Sequence, residues 1–204
     1  DGPGQGRPLI KQDLFSRPDW ENVIGPVLDF AIKLPNVDTK RIALSGWSFG
    51  GYLGLRGALD PRLAACVLDP GLIGLKQPVR AMLKDLPAAV LDDPLAADPA
   101  LFAPYADYVN KDLRMRWSVV QRAFMVHGVD SFPAYVVVSN QYDASGMLGD
   151  IRCPMFIAHE EADPLAATAP AVYAGLHSPK VLQPFTVAEG AGDHTAMLAR
   201  SLFL

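Results

Sequence analysis

Ser48 stands in Gly46-Trp47-Ser48-Phe49-Gly50, a G-x-S-x-G string with the chemistry of a carbonyl-attacking nucleophile. A serine hydroxyl is a poor nucleophile at neutral pH, so it needs a base, and the base needs an orienting carboxylate. The spacing fits a sharp strand–turn–helix elbow. β-type residues Arg41-Ile42-Ala43-Leu44 run up to it, and a helix-like run, Tyr52-Leu53-Gly54-Leu55-Arg56, follows. On this reading Gly46 and Gly50 are glycines because side chains there would collide with the neighbouring strand or helix. The turn aims the hydroxyl outward at a helix N-terminus, where the field favours developing negative charge. The Phe49 N–H is then one oxyanion donor. The plainer alternative is a glycine-rich strand-to-helix turn with an inert serine; the strand in front and the helix behind argue against it.

The base must come from four histidines. His127 lies in a long central insertion, His159 at the end of an apolar run, and His177 at a helix end, where a cation suits the dipole. His194 follows the last strand-like segment in Gly190-Ala191-Gly192-Asp193-His194, a loop able to reach back over the elbow. It is the preferred base; its plainer reading is a surface loop histidine beside Asp193. The acid should leave the C-terminal end of the strand that precedes the last one. Glu160, Glu161 and Asp163 all follow Ile157-Ala158-His159. Asp163 is preferred because Pro164 after it starts a helix and fixes it at a junction. Asp69, closing the strand after the elbow, is the runner-up acid; otherwise it is a turn residue before Pro70. Glu160 reads as a surface residue or a pocket wall.

The elements that must carry these residues follow from periodicity. Trp20, Val23, Ile24, Val27, Leu28, Ala31 and Ile32 recur at helical spacing after Pro18, with Pro26 inside the pattern. Strands are expected at Lys40–Ser45, Leu63–Leu68, Cys153–His159 and Val181–Val187, and helices after the elbow, at Pro164–Leu176 and at Thr195–Leu204. This alternation implies a mostly parallel sheet with helices on both faces. Residues 1–17 read as loop, at least at their start. The alternation stops over residues 72–147, where helical pieces near 76–91, 111–127 and 131–142 are joined by Pro- and Asp-rich turns. The expected organisation is a core segment 1–71 with the elbow, a helical cap or lid insertion 72–147, and a core segment 148–204 with the acid and histidine loops. A cap would cover the C-terminal edge of the sheet, where open α/β sheets bind ligands. Trp47, Trp117, Phe124 and His127 are candidates to line a substrate pocket.

The 204 residues suffice for one core-bearing domain with a lid. Net charge is −4 with no basic run, which argues against nucleic acid as a partner. No apolar run reaches the roughly 18 residues of a membrane span, and the opening does not read as a signal peptide. Cys66 and Cys153 fall in or beside strand-like runs and read as buried free thiols of a reducing compartment, the cytoplasm. The histidines are scattered, so no metal and no cofactor is expected. Several of the 18 prolines fall between residues 78 and 104, which hints at irregular structure there.

Gly46-Trp47-Ser48-Phe49-Gly50-Gly51, Glu161-Ala162-Asp163-Pro164 and Gly190-Ala191-Gly192-Asp193-His194 together resemble the α/β-hydrolase superfamily across essentially the whole chain. Asp1-Gly2-Pro3-Gly4-Gln5-Gly6, His127-Gly128-Val129-Asp130-Ser131 and Asp150-Ile151-Arg152-Cys153-Pro154 look like a group within it. That group contains 2,6-dihydropseudooxynicotine hydrolase and the fungal hydrolases that shorten polyketides. The resemblance implies the C-terminal part of an α/β-hydrolase fold, with the first strands and the second oxyanion donor in a missing N-terminal segment. It implies cleavage of a carbon–carbon bond beside a ketone, or of an ester, in a small carbonyl substrate. A second copy of the chain, as a homodimer, is the expected protein partner. Two other readings remain at this stage. A prolyl-oligopeptidase-like peptidase suits the elbow residues, but with a shorter path from serine to acid. A non-catalytic scaffold of the same fold would carry the triad residues without using them.

Overall fold

A computed structural model describes residues 1–203, with the backbone alone for Arg200. Leu204, the last residue of the expected final helix, lies outside the described residues. The chain forms two compact units: residues 19–74 with 143–204, and residues 1–18 with 75–142. The expected segments were 1–71, 72–147 and 148–204, so the opening residues group with the helical part rather than with the sheet.

The first unit is built on four parallel strands in the order β1 (Ala43–Trp47), β2 (Ala65–Asp69), β3 (Met155–Glu160) and β4 (Lys180–Phe185). The apolar runs explain the arrangement. Leu68, Ile157 and Ala158 in the two middle strands are fully buried, as continuous hydrophobic strands of a parallel sheet should be. The helix Glu21–Ala31 keeps Pro26 inside it. Of the predicted stripe, Trp20 and Leu28 are buried, while Val27 is exposed. Arg56 on the elbow helix, Gly50–Gly57, grips Glu21 with both arms of its guanidinium, at 2.7 and 2.6 Å, and so ties the two helices together. Cys66 and Cys153 are buried free thiols. Among the described residues no helix is long and apolar enough to cross a membrane.

The second unit is helical. Its prolines mark irregular structure only in part: Pro94 lies in a turn between helices, while others start helices. Pro99 opens the turn Pro99–Phe102, capped by the Asp98 side chain, and Pro104 sits in the first turn of Ala103–Lys111. Proline's fixed φ and missing N–H suit that position, so a helix stands where turns were expected. The segment expected as one helix over 76–91 is two, Lys76–Met82 and Ala88–Asp92, with Pro87 just before the second. Residues Gly6–Gln12 form a further helix, with Leu9 buried, where loop was expected; Pro8 falls in its first turn. Phe124 packs edge-on against Phe132, ring centroids 5.2 Å apart, at the centre of this unit's core with Leu83 and Val136.

Candidate active site

The C-terminal ends of the four strands bring the chemistry together. β1 ends at Trp47, and Ser48 follows with φ +59°. A non-glycine residue in the left-handed region costs on the order of 1–3 kcal/mol and needs surroundings that enforce it. Here the Ser48 N–H donates to the Asp69 carbonyl at the end of β2, 2.7 Å, and the Ser48 carbonyl accepts from the Gly51 N–H, 2.9 Å. The glycines make the turn possible, with one correction to the sequence reading. A Cβ on Gly46 would lie 1.9 Å from the Gly50 carbonyl oxygen. One on Gly51 would lie 2.1 Å from that of Pro70, whereas one on Gly50 would meet nothing within 4 Å. The steric requirement therefore falls on Gly46 and Gly51, not on Gly50. Phe49 caps the elbow helix, its ring stacked on Tyr52 with centroids 5.8 Å apart.

His194 Nε2 lies 2.8 Å from Ser48 Oγ, and its Nδ1 lies 2.7 Å from Asp163 Oδ2. Asp163 is buried at the junction expected for it. Its Oδ1 accepts the Leu165 N–H at 2.9 Å and caps the turn Pro164–Thr168, which leaves Oδ2 for the imidazole. The acid and histidine loops are laced together, the Ala162 N–H donating to the Gly192 carbonyl at 2.7 Å. With Nδ1–H donating to the carboxylate, Nε2 is left to accept the serine proton. The hydrogen bond to Asp163 raises the His194 pKa above its ordinary value; partial burial opposes this, and the charges of Asp163, Asp69 and Asp193 add to it.

Asp69 does not touch the imidazole. Both of its oxygens accept backbone N–H groups of the segment after the histidine, those of Ala196 and Met197, each at 2.9 Å. Glu160 is not a surface residue: only 1% of it is exposed, and its Oε1 accepts the same Ala196 N–H at 3.0 Å. Burial, and then the facing Asp69, push the Glu160 carboxyl up to about 8. Sequence reasoning missed this pair's role. The available signal was an acid at the last position of each of two adjacent buried strands.

The four pocket candidates each have their own surroundings. Trp47 is half exposed and donates its indole N–H to Ser45 Oγ at 2.8 Å. Trp117 is half exposed beneath the Arg122 guanidinium, 4.9 Å from its ring centre. His127 donates Nδ1–H to the Ala123 carbonyl at 2.7 Å and packs against Tyr135 and Tyr142. Burial lowers its pKa. Phe124 lines an apolar cavity of about 720 Å³ within the helical unit, with Phe102, Val109 and Phe132. His159 lies within β3, and His177 follows the helix Ala169–Gly175. Among the described residues no three His, Cys, Asp or Glu side chains gather to hold a metal.

The model of the alpha/beta hydrolase family matches residues 1–202. Over 165 residues, 77% of the chain, the sequence is 34% identical to the 20-hydroxy-prefusarin hydrolase FUS2 of Gibberella moniliformis, covering 38% of that protein. A 77-residue stretch, 34% of the chain, is 54% identical to hydrolase ORFZ of Pyricularia oryzae, covering 18% of it. Among solved structures, 2,6-dihydroxy-pseudo-oxynicotine hydrolase superposes over 98% of the chain and 46% of its own, with a TM-score of 0.66 at 22% identity. That match is one of fold. The chain spans less than half the length of these relatives.

Proposed function

The chain belongs to the alpha/beta hydrolase family, and on that premise we propose that it is a serine hydrolase whose triad is Ser48, His194 and Asp163. The observation that carries this reading is the unbroken hydrogen-bond chain from Ser48 Oγ through the imidazole to a buried carboxylate. Ser48 Oγ attacks the substrate carbonyl carbon while His194 Nε2 takes its proton. Asp163 holds the ring with Nδ1–H and balances the charge the ring acquires. The carbonyl oxygen becomes an oxyanion against the elbow helix N-terminus, with the Phe49 N–H as a donor. His194 returns the proton to the leaving group, and water, deprotonated by the same imidazole, releases the acyl group from Ser48.

The substrate class proposed is a small polyketide-like carbonyl compound, in keeping with the relative named for 20-hydroxy-prefusarin. With an oxygen leaving group the reaction is ester hydrolysis. With a carbon leaving group the substrate must be a β-dicarbonyl or its like, so that the departing electron pair rests as an enolate until His194 protonates it. The test compares the intact protein with Ser48→Ala on p-nitrophenyl acetate and on a 1,3-diketone, with acid products read by mass. Turnover of either substrate, abolished by the substitution, supports the reading; equal turnover by Ser48→Ala overturns it.

A further inference from the structure

We propose that Asp69 and Glu160 are positioning residues for His194: together they clasp the backbone just after the histidine and so hold its imidazole on Ser48. The proposal rests on the triad reading above. Asp69 ends β2 and Glu160 ends the adjacent β3, and neither is more than 1% exposed. Asp69 takes the Ala196 and Met197 N–H groups, one on each oxygen, and Glu160 Oε1 takes the Ala196 N–H as well. Ala196 is itself buried, against Ala158 and Phe185, so its amide has no access to water.

The residue between histidine and clasp shows what the clasp does. Thr195 has φ +62° and ψ 98°, a left-handed conformation that a β-branched side chain resists. Such a conformation persists only when both flanks are fixed. On one side Asp163 fixes the His194 ring. On the other, three carboxyl oxygens fix two successive amides. The bend at Thr195 is thereby forced, and it turns the imidazole toward the serine.

Glu160 also has a defined protonation at neutral pH. Among the described residues no cation pairs with either carboxyl, and Glu160 Oε2 is buried without a hydrogen-bond partner. Ionised, Glu160 would put a second negative charge beside Asp69 in a buried site with too few donors, so burial and then Asp69 keep the Glu160 carboxyl protonated at neutral pH. Asp69 is the titratable group that acts on Glu160, and Asp69 also acts on the His194 ring beside Asp163 and Asp193. Glu161 is turned away, accepting the Val187 N–H at 2.8 Å. Ionising Glu160 adds an uncompensated buried charge at the clasp and loosens the loop.

The test is the rate at which a fluorophosphonate labels Ser48 in the full chain, followed from about pH 6 to about pH 10. Wild-type labelling should rise as His194 loses its proton and fall again as Glu160 does. In Glu160→Gln the amide still accepts from Ala196 and donates to Asp69, but cannot ionise. It should label within a few-fold of wild type at neutral pH and lose the alkaline fall. Glu160→Ala and Asp69→Asn should label roughly tenfold to a hundredfold more slowly, as expected for a misplaced catalytic group. If those two do not fold, the alkaline limb of Glu160→Gln decides alone. An alkaline fall in Glu160→Gln equal to that of wild type overturns the clasp, as does a folded Asp69→Asn that labels at the wild-type rate. If Ser48→Ala is labelled as fast as wild type, the triad reading has failed instead, and the clasp with it.

Discussion

Asp163→Asn separates the two jobs of the acid. The variant keeps the side chain's shape, so Oδ1 can still accept the Leu165 N–H now seen at 2.9 Å, and asparagine caps a helical turn as well as aspartate does. The other atom changes from acceptor to donor. An NH₂ then faces the His194 Nδ1–H across the present 2.7 Å, and the ring escapes by moving its proton to Nε2. That nitrogen now presents a donor to Ser48 Oγ, 2.8 Å away, and cannot take the serine proton. A wrong tautomer of this kind costs about 10⁴ in kcat, which at 1.36 kcal/mol per tenfold is about 5.4 kcal/mol of transition-state stabilisation. Stability should change little. One hydrogen bond to a half-exposed ring is lost, about 1 kcal/mol, or roughly 2–4 °C in Tm for a chain of this length. The assay pairs steady-state turnover with thermal unfolding followed by circular dichroism. A kcat within tenfold of wild type in the folded variant would refute the assignment of Asp163 as the orienting acid.

The elbow glycines should behave unequally: Gly51→Ala drives a Cβ onto the Pro70 carbonyl oxygen and should cost about 1–3 kcal/mol or more. Gly50→Ala, with open space around it, should be neutral or stabilising by up to about 1 kcal/mol; equal melting temperatures would contradict this. The acid limb of kcat/KM should lie above the ordinary histidine value of 6.5, because Asp163 raises the His194 pKa and only the neutral ring is a base. The same shift gives a stabilisation that is full below pH 6.5 and disappears as pH rises through the folded value. Asp163→Asn should move the acid limb down, which a pH–rate profile will register. Cys66 and Cys153, both buried, should resist alkylation until the protein unfolds, as counted by mass under native and denaturing conditions.

The sheet and the three residues of the proposed triad were legible because each depends on a local pattern. Apolar runs such as Met155-Phe156-Ile157-Ala158 read as buried strands, and the turn residues beside them place Ser48, Asp163 and His194 at strand ends. What escaped notice depends on contacts distant in sequence. Gly51 rather than Gly50 carries the steric demand because Pro70, a residue of the next strand's exit, lies against it. Glu160 reads as a surface residue or a pocket wall because nothing in its neighbours announces that it shares the Ala196 amide with Asp69. The prolines of the helical unit misled in a different way. Prolines between residues 78 and 104 hint at irregular structure, yet Pro99 and Pro104, at the first turn of a helix, favour its start. The strain at Thr195 has no sequence signal, since threonine is a poor choice for its backbone angles.

The most direct test of the central claim is to identify the residue that a fluorophosphonate modifies in the intact protein. The account predicts a single adduct on Ser48, abolished in Ser48→Ala and slowed by orders of magnitude when His194 is replaced by alanine. A folded wild-type protein that takes up no label, or takes it up at another residue, would contradict it.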